Sequence, residues 1–182
     1  MTKMSSGQVG ERHKLKPHVH LHLVMNKLPD LMAAIRALDM NEVLVGVPEK
    51  NDTRDEADGP NNAELAYIQN TGSPAHNIPP RPFLAEGIEN VHERVTKRLW
   101  QTAQKALEGD LASVEKGLMG VGQIAVDGVK DKILTGPFQG LAPRTLAARR
   151  KRGVTRTEPL RDTGQMLNAM TYVLRKRRKK GK

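Results

Sequence analysis

The chain contains the segment Asn77-Ile-Pro-Pro-Arg-Pro-Phe83, and this proline-rich stretch governs how the rest of the sequence is organised. Proline fixes its own φ angle and biases the residue before it toward extended backbone, so the segment is stiff and extended. Pro82 stands where a helix begins, a position at which proline is tolerated. The segment also presents Arg81 as a planar donor fork and Phe83 as a large apolar side chain. Two interpretations are open, a rigid connector and a preformed contact surface for a partner.

Two long stretches after this segment carry apolar residues at steps of three and four. The first predicts a helix over residues 83–107, which the pair Gly109-Asp110 ends. The second predicts a helix from Leu111 to Ile133. Several glycines lie in or beside the second helix, so it is intrinsically weak and depends on packing. Each helix has one apolar stripe, and the two therefore pack either on a sheet or on each other.

Three short stretches predict strands of a small sheet. Residues 17–25 alternate apolar and polar side chains, residues 43–47 form an aliphatic run that stops at Pro48, and residues 171–174 form the last strand. Between the first two strands, the spacing of Leu28 to Leu38 predicts a helix with Pro29 near its start.

The remaining elements are short. Residues 63–70 predict a helix with Asn61 or Asn62 as its N-cap and Gly72 after its end. Residues 162–170 predict another short helix. The stretches 49–62 and 138–159 are polar and carry glycine and proline, so both are predicted to be loops.

Composition limits the size of the core. The 182 residues suffice for one core, but the 37% hydrophobic content is low and the aromatics are only two Phe, two Tyr and one Trp. This suits either a modest α+β domain with polar extensions or a subunit that completes its burial in an oligomer. With no cysteine, disulfides and thiolate chemistry are excluded. The sequence shows no membrane span and no signal peptide, which predicts a soluble protein made in a cytoplasm.

The net charge of +10 is concentrated at one end. From Leu141 to Lys182, fourteen lysines and arginines face two acids, a net of +12, which leaves −2 for the rest of the chain. The terminal run offers Arg175, Lys176, Arg177, Arg178, Lys179 and Lys180 as contacts for DNA or for an acidic partner. No aromatic is interleaved, so DNA binding there would be electrostatic and independent of sequence. A solvated tail, or one that pairs with acids of a neighbouring subunit, is the equal alternative.

Catalytic chemistry has little support. His18, His20 and His22 share one side of the first predicted strand, but a strand advances about 6.6–6.8 Å every two residues, too far for one metal ion to reach all three easily. The alternative is that these three histidines form the polar face of an edge strand and bind no metal. Paired carboxylates occur only in the 52–58 loop, which has no apolar wall to raise their pKa. We expect no enzyme, no cofactor and no metal.

Two stretches that lie far apart in the chain carry distinctive motifs. The first is residues 67–84, a helix end followed by Thr-Gly-Ser and then by the proline-rich segment and a long helix. The second combines Pro143-Arg-Thr-Leu-Ala-Ala-Arg149 with Pro159-Leu-Arg-Asp-Thr-Gly-Gln-Met-Leu-Asn-Ala-Met-Thr-Tyr-Val173. Together they resemble phage virion-morphogenesis proteins, the tail-completion and head–tail joining (neck) proteins, in the family's order and at compatible spacing. The match runs from about Pro17 to Val173. The acidic 49–62 loop and the basic tail have no counterpart in the pattern.

The resemblance implies an α+β fold with a small, mostly antiparallel sheet packed with one or two long helices. The polar N-terminal arm is residues 1–16, the single domain 17–174 and the basic C-terminal tail 175–182. The resemblance further implies a structural, non-catalytic role in a homo-oligomeric ring, expected to be a hexamer, at the head–tail junction of a tailed bacteriophage. Other neck or tail proteins would be its partners, with no membrane involved. The location would be the virion, and the host cytoplasm during assembly.

The resemblance also implies candidate contacts with subunits or partners, namely Asn77, Ile78, Pro79, Pro80, Arg81, Pro82, Phe83, Asp162 and Thr163. Arg81 and Phe83 are the candidates for anchoring a neighbouring subunit, because arginine and aromatic residues dominate interface hot spots. Asp162 and Thr163 are expected to order a local turn or cap a short helix. The alternative function is a sequence-independent DNA-binding protein that acts through the basic C-terminal region.

Overall fold

A computed structural model describes residues 17–54 and 59–177, with side chains from Leu28 onward. The elements in chain order are α1 (Pro17–Asp39), β1 (Asn41–Gly46), α2 (Asn62–Thr71), α3 (Phe83–Glu89), α4 (His92–Leu107), α5 (Ala112–Thr135), α6 (Pro143–Lys151), α7 (Gln165–Ala169) and β2 (Thr171–Lys176). Two 3₁₀ turns, Glu49–Asn51 and Pro74–His76, lie in the connections. The predicted α+β class is confirmed.

The sheet joins the segment that follows α1 to the C-terminal end of the described chain. β1 and β2 are antiparallel, with Val43 opposite Leu174 and Gly46 opposite Thr171. Both strands were predicted, but β2 continues to Lys176, so Arg175 and Lys176 belong to the sheet although the sequence suggested a tail there. The ladder therefore fixes the start of the basic run.

Helix α5 forms the centre of the fold. It packs against α3 and α4 on one side and against both strands on the other. Packing on a sheet and packing on the preceding helical region, which the sequence left as alternatives, therefore both occur. Its glycines lie at these contacts: Gly117 meets the side chain of Thr102, and Gly122 meets the ring of Tyr172. The predicted dependence of this helix on packing follows from that arrangement, since each glycine lets a neighbour approach closely.

Two apolar clusters form the core. Phe83, Val129, Ile133, Leu160, Met166 and Met170 make the first, beneath the proline-rich segment. Ala34, Ala106, Val114 and Leu118 make the second, where α1 meets α4 and α5.

Three sequence predictions are wrong. Residues 17–25 are helical and not a strand, since α1 begins at Pro17, and Pro29 lies inside the helix and not near its start, although an interior proline costs one backbone hydrogen bond. The predicted helix 83–107 is two helices, interrupted at Asn90-Val91. The predicted loop 138–159 contains α6, which starts with Pro143 in its first turn.

Two local predictions are confirmed. Asn61 caps α2 in a capping box, in which its side chain accepts from the amide of Glu64 and the Glu64 carboxylate accepts from the amide of Asn61. Gly72 follows the helix with a φ of 79°, a conformation suited to glycine.

Candidate functional site: the proline-rich segment and its arginine neighbours

The proline-rich segment, residues 77–83, is held by backbone hydrogen bonds at its start. The amides of Ser73 and Ile78 each donate to the other's carbonyl, at 2.8 and 2.9 Å, and close a tight loop around the Pro74–His76 turn. Asn77 takes a left-handed conformation with φ 57°, which asparagine tolerates better than most residues. The segment departs from extended backbone at both ends, since Asn77 is left-handed and Pro82 has a ψ of 58° in a turn closed by the 2.7 Å bond from the Phe83 amide to the Arg81 carbonyl. Its stiffness stays a prediction.

Arg81 is buried and joins three parts of the chain. Only 3% of the residue is exposed. Its Nη1 donates to Oε1 of Gln69 at 2.8 Å, while Nε and Nη2 donate to the carbonyl of Gln139 at 3.4 and 3.3 Å. Burial lowers the pKa of Arg81, and the nearby positive charge of Arg149 lowers it further. The guanidinium therefore braces α2 and the chain after α5 against the segment.

Phe83 is almost completely buried in the first core cluster, with 1% of the residue exposed. The side chains of Phe83 and Arg81 are consequently occupied inside the subunit, and the structure does not offer them at the surface as a neighbour's anchors. The physical reason is that both have partners within the chain. Asn77, Pro80 and Pro82 are exposed, while Ile78 and Pro79 are half-buried, so the surface of the segment consists of its asparagine and prolines.

Arg149 organises the second motif stretch. It is 5% exposed, and its Nη1 donates to the carbonyls of Arg156 and Glu158 at 3.1 and 2.9 Å. Its Nε lies 3.5 Å from Oδ1 of Asp162, an ion pair whose geometry does not make a hydrogen bond. Burial lowers the pKa of Arg149, and the charge of Asp162 partly opposes that shift. The cation thus closes the 149–162 loop from within.

Thr163 orders the turn before α7, as predicted, whereas the side chain of Asp162 pairs with Arg149 and Arg152 and the N-cap of α7 is Gly164. The second oxygen of Asp162 accepts from Nη2 of Arg152 at 2.6 Å. The amide of Gln165, the first residue of α7, donates to Oγ1 of Thr163 at 3.4 Å. Thr163 is exposed and Asp162 is half-buried, so a contact of either with a partner stays a prediction.

The two motif stretches meet in the fold. Phe83 of the first packs with Met166 and Met170 of the second in one core cluster, and Nη2 of Arg144 donates to the carbonyl of His76 at 3.4 Å. A half-open cleft of about 500 Å³ runs between them, lined by Ile78, Pro79, Arg81, Gln139 and Thr145 among others. The cleft is lined by backbone carbonyls, side-chain amides and guanidinium groups, which can bind and orient a partner through hydrogen bonds.

The described start of the basic tail is largely paired with acids of the same chain. Nε of Arg175 lies 2.5 Å from Oε1 of Glu42, and Nη1 of Arg177 lies 2.9 Å from Oδ1 of Asp39. Lys176 is exposed. The other predicted contacts, Arg178, Lys179 and Lys180, lie outside the described residues.

An exposed apolar face on α1 is the surface that the sequence reasoning missed. Leu28, Leu31, Met32 and Ile35 are between 40% and 55% exposed, while Ala34 on another side of the same helix is fully buried. We name these four residues the α1 stripe. Their spacing identified a helix but not which part of its broad apolar surface the core would leave uncovered.

Metal and membrane sites were also assessed over the described residues. No group of three or more His, Cys, Asp or Glu residues is placed there to hold a metal ion. The side chains of His18, His20 and His22 lie outside the described residues. Of the helices with described residues, none is long and apolar enough to cross a bilayer.

Comparison of the chain with protein families, with curated proteins and with solved structures found no match.

Proposed function

We propose that the protein is a structural subunit of a tailed-phage virion, which forms an oligomeric ring at the head–tail junction in tail completion or head–tail joining. The observation that carries the proposal is the pairing of the two motif stretches. They resemble the stretches of neck proteins, and they pack against each other through the Arg144–His76 hydrogen bond and through Phe83, Met166 and Met170 in the first core cluster. The features that carry the resemblance thus form one structural unit.

The α1 stripe supports assembly into an oligomer. Burying a complete Leu, Ile or Met side chain stabilises by about 1.5–3 kcal/mol, so covering the exposed halves of four such residues contributes about 3–6 kcal/mol. A millimolar complex requires about 4 kcal/mol. The stripe alone therefore supports only a weak contact, and a stable ring needs further surface. Trp100 and Leu107 on α4, 66% and 53% exposed, offer such surface.

The oligomeric state tests this proposal directly. The full chain should give one discrete mass of several subunits by native mass spectrometry and by light scattering after size exclusion. Met32→Glu with Ile35→Glu should shift it toward monomer, because two charges would enter the buried interface. Thr155→Glu with Thr157→Glu adds the same charge at exposed positions of the loop after α6, away from the α1 stripe and from α4, and is the matched control.

Circular dichroism separates loss of assembly from loss of fold, because the four substituted positions are exposed. A wild-type chain that stays monomeric at all concentrations would contradict the ring. At the level of the particle, a phage that loses this gene should produce heads and tails that do not join. Normal joining in such a phage would contradict a role at the junction.

A further inference from the structure

Helix α6 presents a positively charged face in which two cations are separated by alanines. Arg144, Ala147, Ala148 and Lys151 are all exposed and fall on one side of the helix, since they are spaced by three and four residues. The rise of 1.5 Å per residue places the two cations about 10.5 Å apart along the axis. Only alanine methyl groups stand between them, so an extended anionic chain can approach the helix surface closely. We name these four residues the α6 face.

More cations flank the α6 face. Arg150 is exposed, and so are Arg152 and Arg156, both of which contact Asp162. From Arg144 to Asp162 the chain carries seven arginines and lysines against two acids, a net of +5. The buried Arg149 takes up part of the Asp162 charge from below. The outer surface of α6 therefore keeps most of its positive charge.

The start of the C-terminal tail is a weaker candidate for binding an anion than the α6 face. Arg175 and Arg177 are each paired with an acid of the same chain, Glu42 and Asp39. A phosphate that bound there would have to displace those carboxylates. On α6 the cations of the face are not paired with any carboxylate of the described residues, so an anion meets less competition.

We infer that the α6 face, with Arg150 beside it, binds the phosphate backbone of duplex DNA without reading its sequence. A duplex carries one charge about every 1.7 Å of its axis, so Arg144, Arg150 and Lys151 contact phosphates at the same time. Over residues 135–177, all of which are described, no large apolar side chain is exposed. Insertion into a lipid surface needs such side chains, and base stacking needs aromatic ones, so the surface is suited to neither. The inference depends on this charge arrangement and is independent of the role in a virion.

The salt dependence of DNA binding tests the inference with the full chain. Affinity for a labelled duplex of mixed sequence is measured by fluorescence anisotropy between about 50 and 200 mM salt, where each phosphate contact contributes about 0.9 to the slope of log K against log salt. Arg144→Ala, Arg150→Ala and Lys151→Ala together should lower the slope by roughly 2–3. They should weaken binding at ~0.1 M salt by about 10²–10³-fold. All three side chains are exposed, so the fold should persist, as circular dichroism would verify.

The matched control removes the same charge elsewhere. Lys97→Ala, Lys105→Ala and Lys116→Ala are exposed positions on α4 and α5, and their combined variant should keep nearly the wild-type slope. Equal losses in the two triple variants would overturn the inference, because net charge alone would then explain binding. So would no binding by the wild type at about 50 mM salt.

Two further outcomes identify a different site or partner. A chain ending at Arg177 should retain most of its affinity. If that truncation abolishes binding while the α6 triple variant does not, the tail is the site and the inference is wrong. Polyglutamate, at equal charge concentration, should compete poorly against duplex DNA. Equal competition would indicate an acidic protein as the partner, and would also overturn the inference.

Discussion

The crossing of α3 and α5 makes the sharpest stability prediction. Gly128 of α5 lies against the carbonyl oxygen of Gly87 in α3, and a Cβ at Gly128 would stand 2.8 Å from both γ-methyl groups of Val91. Contacts of a real Cβ are ordinary only from 3.4 Å outward. Because one of the obstacles is backbone, no side-chain rotation relieves the clash. Gly128→Ala must therefore push α3 away from α5.

The expected loss follows from two opposing terms. Overpacking a tight contact costs about 1–3 kcal/mol, and replacing glycine by alanine within a helix returns about 1 kcal/mol. Here the clash involves backbone, so we take the upper part of the range and expect a net loss of about 1–2 kcal/mol. For a chain of this size, each kcal/mol shifts Tm by about 2–4 °C, so Tm should fall by about 2–8 °C. The disturbance should also reach Phe83, which begins α3.

The same substitution elsewhere in α5 should have the opposite sign. A Cβ at Gly120 would meet Nε of Arg98 at 2.8 Å, and this flexible side chain can swing away. Gly120→Ala should thus keep the helical gain, and Tm should rise by about 2–4 °C. Thermal unfolding followed by circular dichroism measures both variants under one buffer. If Gly128→Ala melts at or above the wild type, the close α3–α5 packing is refuted.

Three further substitutions test other parts of the fold. Arg149→Met should cost about 3 kcal/mol in urea unfolding, because it leaves the carbonyls of Arg156 and Glu158 without their donor, while Asp162 keeps its ion pair with Arg152; no change would show that the 149–162 loop needs no internal cation. Asn61→Ala removes the hydrogen bond from the Glu64 amide to Oδ1 of Asn61 and keeps the one that the backbone amide of residue 61 donates to Glu64; it should cost about 1 kcal/mol, a value that serine at this position should largely recover. Glu158 accepts a hydrogen bond from its own backbone amide, which lowers its pKa from the ordinary 4.5, so its contribution to stability is present above pH 4.5 and is lost as pH falls through the lowered pKa. The difference in unfolding midpoint between wild type and Glu158→Gln should accordingly shrink on acidification, and a difference that does not depend on pH would exclude this effect.

Local patterns predicted those elements whose signals lie within a few residues. The capped start of α2, the glycine after it and the aliphatic run of β1 are of this kind, since each depends on neighbouring residues alone. α6 was not predicted because it carries no apolar stripe. Its stability depends on Arg149, whose hydrogen-bond acceptors lie outside the helix. The strand predicted over residues 17–25 was wrong because a short alternation of apolar and polar residues indicates a strand only where a sheet is available to pair with it.

Burial of the two motif side chains could not be read from the sequence. Arginine is mostly exposed in proteins, so the prior for Arg81 favours the surface. Its burial requires acceptors supplied by Gln69 and by Gln139, and the latter is 58 residues away. The sequence therefore suggested a partner as the contact of Arg81 and Phe83, although the chain itself supplies the contacts of both.

The two surfaces left free by this internal bracing respond to salt in opposite ways, and that distinction links the two proposals. The α1 stripe is apolar, so its burial against a neighbouring subunit is insensitive to simple salts and is strengthened by sulfate. The α6 face is cationic, so its contacts with phosphate weaken steeply as salt rises. If both proposals hold, rising salt should release DNA while the oligomer persists. Simultaneous loss of DNA and of the oligomer would mean that the assembly itself is electrostatic, in which case the α1 stripe is not the surface that holds it together.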